Sequence, residues 1–138
     1  MNDNELRQAL GLLDVHNSQL EALAQQGQLL RMSLEEALRA RETMKAFLNA
    51  KKGDELLVPI GASSFVPAKV TGSNKVIVGV GSRVSVEKDL PDAIAFLDDT
   101  VKDISEALKK SSEAFTETET AAKSLSLAIQ QEYQRRQQ

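Results

Sequence analysis

The chain has 138 residues, the size of one ordinary domain, and a formal net charge of −3. The absence of cysteine excludes disulfides and thiolate chemistry, and a charge this close to balance offers no surface suited to nucleic acid or anionic membrane. Aromatic residues make up 4%, with no Trp and one Tyr, so the apolar supply is Leu, Val, Ile and Ala, which suits thin, elongated packing better than a ball.

The first residues, Met1 to Glu5, are polar and acidic, without the apolar stretch of a secretory leader. No run approaches the roughly 18 apolar residues of a membrane span. These features point to a soluble cytoplasmic protein. All three prolines and five of the seven glycines lie between Gly53 and Pro91, which leaves two long uninterrupted flanks.

The first flank predicts a helix over residues 4–51. With Leu6 at position a of a heptad, the a positions are Leu6, Leu13, Leu20, Gly27, Leu34, Arg41 and Leu48. The d positions are Ala9, His16, Leu23, Leu30, Ala37 and Met44. Gly27, Arg41 and His16 break the apolar rule, but the register persists. Such a repeat is a coiled-coil seam, too narrow to bury itself without a partner helix.

Between the flanks the period changes to two. Leu56–Ile60 and Phe65–Val70 flank Gly61-Ala62-Ser63-Ser64, and Lys75–Val80 and Arg83–Glu87 flank Gly81-Ser82. Two successive β-hairpins are therefore predicted within residues 55–87. Pro59 and Pro67 cannot donate to a ladder, so the first hairpin belongs at an edge or has irregular pairing.

The last flank predicts a helix over residues 90–136. Its a positions are Ile94, Val101, Leu108, Phe115, Ala122 and Ile129, and its d positions are Leu90, Leu97, Ile104, Ser111, Thr118 and Leu125. Asp89 is placed to cap the helix, with Pro91 in the first turn. The expected fold is thus α+β, a long antiparallel coiled coil with two hairpins between its helices. At 1.5 Å per residue, each helix would run about 65–70 Å.

Two isolated hairpins are barely stable in water. Val76, Val78 and Val80 on one face, with Ile77 on the other, call for cover on both sides. The sheet is therefore expected to meet copies of itself or of a relative.

This architecture, with the run Leu57-Val58-Pro59-Ile60-Gly61-Ala62-Ser63-Ser64-Phe65-Val66-Pro67 and then Lys75-Val76-Ile77-Val78-Gly79-Val80-Gly81, closely resembles the alpha class of prefoldin subunits. Val86-Glu87-Lys88-Asp89-Leu90-Pro91-Asp92-Ala93 also looks like that class. Arg83-Val84-Ser85 departs from it, where glycine and aromatic character would be expected. The resemblance implies a single prefoldin-like domain over residues 1–138, in a hexamer of two alpha and four beta subunits. It implies that hairpins assemble into a β-barrel between subunits, through Val58, Ile60, Phe65, Val76, Val78, Val80 and Val84. It further implies a holdase that binds unfolded clients at the free ends of the coiled coil and passes them to a group II chaperonin without nucleotide.

The residues support that placement of clients. Near one terminus Leu10, Leu12 and Val15 spill off the seam beside Leu6 and Leu13, and near the other Leu127 points outward close to Ile129 and Tyr133. Exposed apolar groups on a thin tip are costly unless used for binding. The plainer reading is extra seam packing.

No cofactor, metal site or catalytic group is expected. His16 is the only histidine and more simply sets register. Gly79-Val80-Gly81-Ser82 lacks the following Gly-Lys-Ser/Thr of a phosphate loop. Asp98, Asp99 and Asp103 read as a solvated helix face, and Arg135-Arg136 as a charged last turn. A filament-forming structural subunit of the same class is the alternative to a chaperone. A nucleic-acid-binding arm is disfavoured, because Met1–Lys52 carries 7 basic and 7 acidic residues and Asp89–Gln138 carries 6 basic and 10 acidic.

Overall fold

In a computed structural model, which describes all 138 residues, the elements run α1 (Asp3–Leu48), β1 (Glu55–Gly61), β2 (Ser64–Lys69), β3 (Lys75–Gly81), β4 (Val84–Asp89) and α2 (Leu90–Gln137). The chain divides into two compact units, Met1–Leu34 with Asp103–Gln138, and Glu35–Lys102.

Helix α1 begins with a capping box. The Asn2 side chain accepts from the Glu5 amide at 2.8 Å, and the Glu5 carboxylate accepts in return from the Asn2 amide at 3.2 Å. Two amides that would otherwise lack partners are thereby satisfied. The helix ends at Leu48, short of Lys51. Beyond it Lys51 donates its amide to the Asp54 carboxylate at 2.8 Å, and Gly53 takes a positive φ of 91°.

In the first unit the segments of α1 and α2 run antiparallel, with Met1 beside Glu132 and Gly27 beside Ser111. The buried positions follow the heptads: Leu6 and Gly27 from α1, Ser111, Ala122 and Ile129 from α2. Around Gly27 the seam is thin. A cavity of about 180 Å³ is lined by Leu23, Ala24, Gly27, Arg31, Leu108, Ser111, Ser112 and Phe115.

In the second unit Ala37, Leu90, Ala93 and Leu97 are buried. Arg41, the charged a position, reaches Asp98 at 3.2 Å from α2, and its Nε has no hydrogen-bond partner. Lys88 of β4 places Nζ 5.5 Å from the centre of the Phe96 ring of α2.

Each hairpin is a separate two-stranded antiparallel sheet, β1 with β2 and β3 with β4. Both turns are type I′ in character, since Ala62 and Ser63 have φ of 48° and 56°, and Ser82 and Arg83 have 51° and 60°. That geometry matches the twist of the strands but normally calls on Gly or Asn. The second turn is centred on Ser82-Arg83, one residue beyond the Gly81-Ser82 expected from sequence. Asp89 does not cap α2; it is the last residue of β4, and its carboxylate pairs with Lys75 Nζ across the hairpin. The nearer cation outcompetes the helix amides for it.

Two stability changes follow. Arg83→Gly relieves a left-handed non-glycine residue and should raise hairpin stability by about 1 kcal/mol. Gly27→Ala should also gain about 1 kcal/mol, because a Cβ there meets only Arg31 nitrogens at 3.8 and 4.0 Å and Ala is the better helix former. Urea unfolding followed by circular dichroism reads both; a loss of stability in either variant contradicts the corresponding account.

Candidate functional surfaces

Two concentrations of exposed apolar side chains stand out. The first lies where the two chain ends meet. Leu10, Leu12 and Val15 of α1 and Leu127 and Tyr133 of α2 are exposed, and Leu13 is half-buried. Leu6 and Ile129, expected among the client contacts, are instead buried at 7% and 5% exposure. Both occupy a positions, so burial against the partner helix claims them first. Leu29 and Met32, further along α1, are also exposed. They stand outside the a and d positions, and the outward heptad positions would have shown them.

The same end carries a charge cluster that sequence reasoning missed. Glu132 falls at the next d position after Leu125 and is buried. Its carboxylate accepts from Arg135 at 2.6 Å, from Arg136 at 2.8 Å and from the Met1 amino group at 3.3 Å. Arg136 also donates to Asp3 at 2.6 Å and to the Met1 carbonyl at 3.0 Å. Hydrogen bonds from Arg135 and then Arg136 hold the Glu132 carboxyl well below the usual carboxylate range. Extending the heptad count one step past Leu125 would have flagged a buried acid, and Arg135-Arg136 as its partners.

The second concentration is on the hairpins. Of the residues expected in assembly, Val58, Ile60, Phe65, Val80 and Val84 are exposed, and Val76 is half-buried. Val78 departs from expectation: it is 5% exposed, covered within its own unit. A charge at Val78 would therefore disturb the chain's own packing. Leu57, Val66, Val86 and above all Ile77, at 76% exposure, belong to the open surface as well. Both faces of the hairpins thus expose large apolar groups, which isolated strands in water do not favour. No three His, Cys, Asp or Glu side chains gather where they could hold a metal ion. No helix is long and apolar enough to cross a membrane.

The Prefoldin family profile, described as "Prefoldin subunit", matches residues 16–135. This chain belongs to the prefoldin family. The family is one of chaperone subunits rather than enzymes. Among relatives, the prefoldin subunit alpha of Pyrococcus horikoshii is 38% identical over 122 residues, 86% of this chain and 80% of that one. That of Methanoregula boonei is 32% identical over 133 residues, 96% of this chain and 86% of that one. Among solved structures, the filamentous PFD of Methanocaldococcus jannaschii superposes with a TM-score of 0.69 at 24% identity, covering 82% of this chain and 93% of that one. The prefoldin beta subunit of Thermococcus strain KS-1 gives 0.61 at 17% identity, covering 92% and 90%. These structures share the prefoldin arrangement of two long helices and intervening hairpin strands.

The depressed carboxyl of Glu132 sets a pH dependence. A carboxyl whose folded pKa lies below its unfolded value stabilises fully above the unfolded value, near 4.3, and loses that contribution as pH falls toward the folded one. Tyr133 is the only tyrosine, and there is no Trp, so its fluorescence anisotropy reports this end alone. Anisotropy should hold steady from neutral pH to about 5 and fall below about pH 4, while Glu132→Gln starts lower and responds less. An unchanged acid response in Glu132→Gln would place the titrating group elsewhere.

Proposed function

We propose that this chain is the alpha subunit of a hetero-oligomeric holdase, two alpha with four beta subunits, in which residues 1–138 work as a single domain. The hairpins join those of partner subunits in a β-barrel, through Val58, Ile60, Phe65, Val80 and Val84 together with Leu57, Val66 and Ile77. Non-native proteins are held by Leu10, Leu12, Leu127 and Tyr133, with Leu13 in support, and are passed to a group II chaperonin. The setting is the cytoplasm.

The observation that supports this most directly is the placement of large apolar groups in the open, in a member of a chaperone family. Covering one such side chain contributes roughly 1.5–3 kcal/mol. A few at one end give a weak, releasable grip on an unfolded chain, and several subunits acting together raise it by avidity. A grip of this kind needs no nucleotide. Seam residues Leu6 and Ile129 serve it by holding the two helix ends together.

A filament-forming subunit is the second reading, supported by the fold shared with the filamentous PFD of Methanocaldococcus jannaschii. The 38% identity to the prefoldin subunit alpha of Pyrococcus horikoshii supports the alpha-subunit reading.

The test is light scattering of a heat-denatured client with assemblies of equal, confirmed mass. A variant carrying Ser in place of Leu10, Leu12, Leu127 and Tyr133 should keep its helicity and assembly but lose most of its protection. ATP should change nothing, and high salt should weaken the intact protein little. Undiminished protection by the variant would move client binding to the partner subunits.

A further inference from the structure

Helix α1 has a glycine where its seam calls for a large apolar side chain. Gly27 is a buried a position, and beside it on α2 stands Ser111, a small and buried d position. Glycine in a helix commonly serves the close approach of another backbone. Here no atom of α2 lies within 4 Å of where a Cβ would stand. The only atoms that near are Nη1 and Nη2 of Arg31, at 3.8 and 4.0 Å. Helix propensity favours alanine at such a place, so backbone packing does not account for the glycine. What the missing side chain leaves is the cavity of about 180 Å³.

Two kinds of group line that cavity. Leu23, Leu108 and Phe115, all half-buried, form an apolar wall. Ser111 and Ser112 bring hydroxyls to it, and Arg31 lays its guanidinium over the place of the missing Cβ. Ser111 is only 7% exposed, yet its hydroxyl has no hydrogen-bond partner in the chain. The hydroxyls of Thr100 and Thr116, by contrast, bond back to the carbonyls of Phe96 and Ser112. A polar group so deeply buried is normally satisfied. Arg31 makes no ion pair either, whereas Arg41 on the same helix reaches Asp98. No carboxylate lines the cavity.

We propose that this cavity is a binding site for a small aromatic carboxylic acid in its ionised form. The ring lies among Leu23, Leu108 and Phe115, and the carboxylate between the Arg31 guanidinium and the Ser111 and Ser112 hydroxyls. Volume sets the size of the ligand. An apolar cavity of about 150 Å³ accepts benzene, so this one has room for a single ring on a short chain. The head group follows from Arg31, whose planar fork matches the two oxygens of a carboxylate, while serine hydroxyls donate to the same charge. The site lies about 22 Å along α1 from Leu12, apart from the exposed leucines of the chain ends. An occupant joins α1 and α2 where their seam is thinnest, and so stabilises the paired helices.

The test titrates 3-phenylpropionate, with 3-phenylpropanol as its neutral counterpart, into the full-length protein at neutral pH. Calorimetry gives the Kd, and carbon-13 methyl resonances of leucine give the place, with Leu23→Ile and Leu108→Ile assigning the two signals. The acid should bind saturably, shift Leu23 and Leu108, and raise the melting midpoint as its concentration grows. The alcohol should bind about tenfold more weakly. Arg31→Gln should raise the Kd of the acid about tenfold and leave that of the alcohol unchanged. Gly27→Leu fills the cavity and should abolish binding of both. Arg31 is exposed, so Arg31→Gln keeps its fold and decides the matter even where Gly27→Leu does not. Absence of saturable binding up to about 10 mM acid overturns the site. An unchanged Kd in Arg31→Gln, equal affinity for the alcohol, or shifts confined to leucines of the chain ends overturns it as well.

Discussion

A stripe of apolar residues at a and d positions can leave water only if another helix lies along it, and most of this chain answers to that requirement. The heptads of α1 and α2 supply one another's cover, with Leu6, Ala37, Leu97, Ala122 and Ile129 among the buried positions. The cover is thin. No large side chain is wholly enclosed, so stabilisation is spread along the helices instead of concentrated in a core. Polar residues in such a seam stay near enough to the surface to find partners. Arg41 reaches Asp98, and Glu132 gathers Arg135, Arg136 and the Met1 amino group. The seam therefore tolerates charge where it can be paired, and at the meeting of the chain ends it uses charge to hold the helices beside an exposed apolar group of leucines.

The hairpins meet the opposite condition. They have two apolar faces and four free edges, and the chain covers only part of this surface, at Leu56, Ala68, Val76 and Val78. Repetition of the same hairpin after twenty residues doubles the exposed surface, and proline divides the labour between the copies. Pro59 and Pro67 sit where the backbone faces outward, so they cost the first hairpin none of its own bonds while blunting its edges. The second copy has Gly79 and Glu87 in their stead. Its outermost apolar residue, Ile77, is the most exposed large apolar side chain of the hairpins.

Much of this was legible in advance because the signals are periodic. The seams of both helices and the two hairpins rest on spacing and punctuation, and the family resemblance on the residue runs within Leu57–Ala93, all of which the chain carries locally. What was misread depends on competition between neighbours. Asp89 had the chemistry of a helix cap and was taken by Lys75 across the hairpin. Leu6 and Ile129 had the chemistry of a binding tip and were claimed by the seam. Val78 shared its alternation with Val58, yet one is covered and the other open, a difference invisible to a pattern that is identical in both copies.

The amino-acid sequence by itself determined which residues can share a helix face or a strand face, because the periods of 3.5 and 2 follow from backbone geometry alone. It also determined that the hairpins would have more apolar surface than the chain could cover. Only the tertiary structure decided which of those residues are spent inside the chain and which remain open. Burial, ion pairing at Glu132 and the outward parity of Pro59 and Pro67 depend on which groups from distant parts of the chain arrive side by side, and on the hydrogen-bond register they adopt when they do.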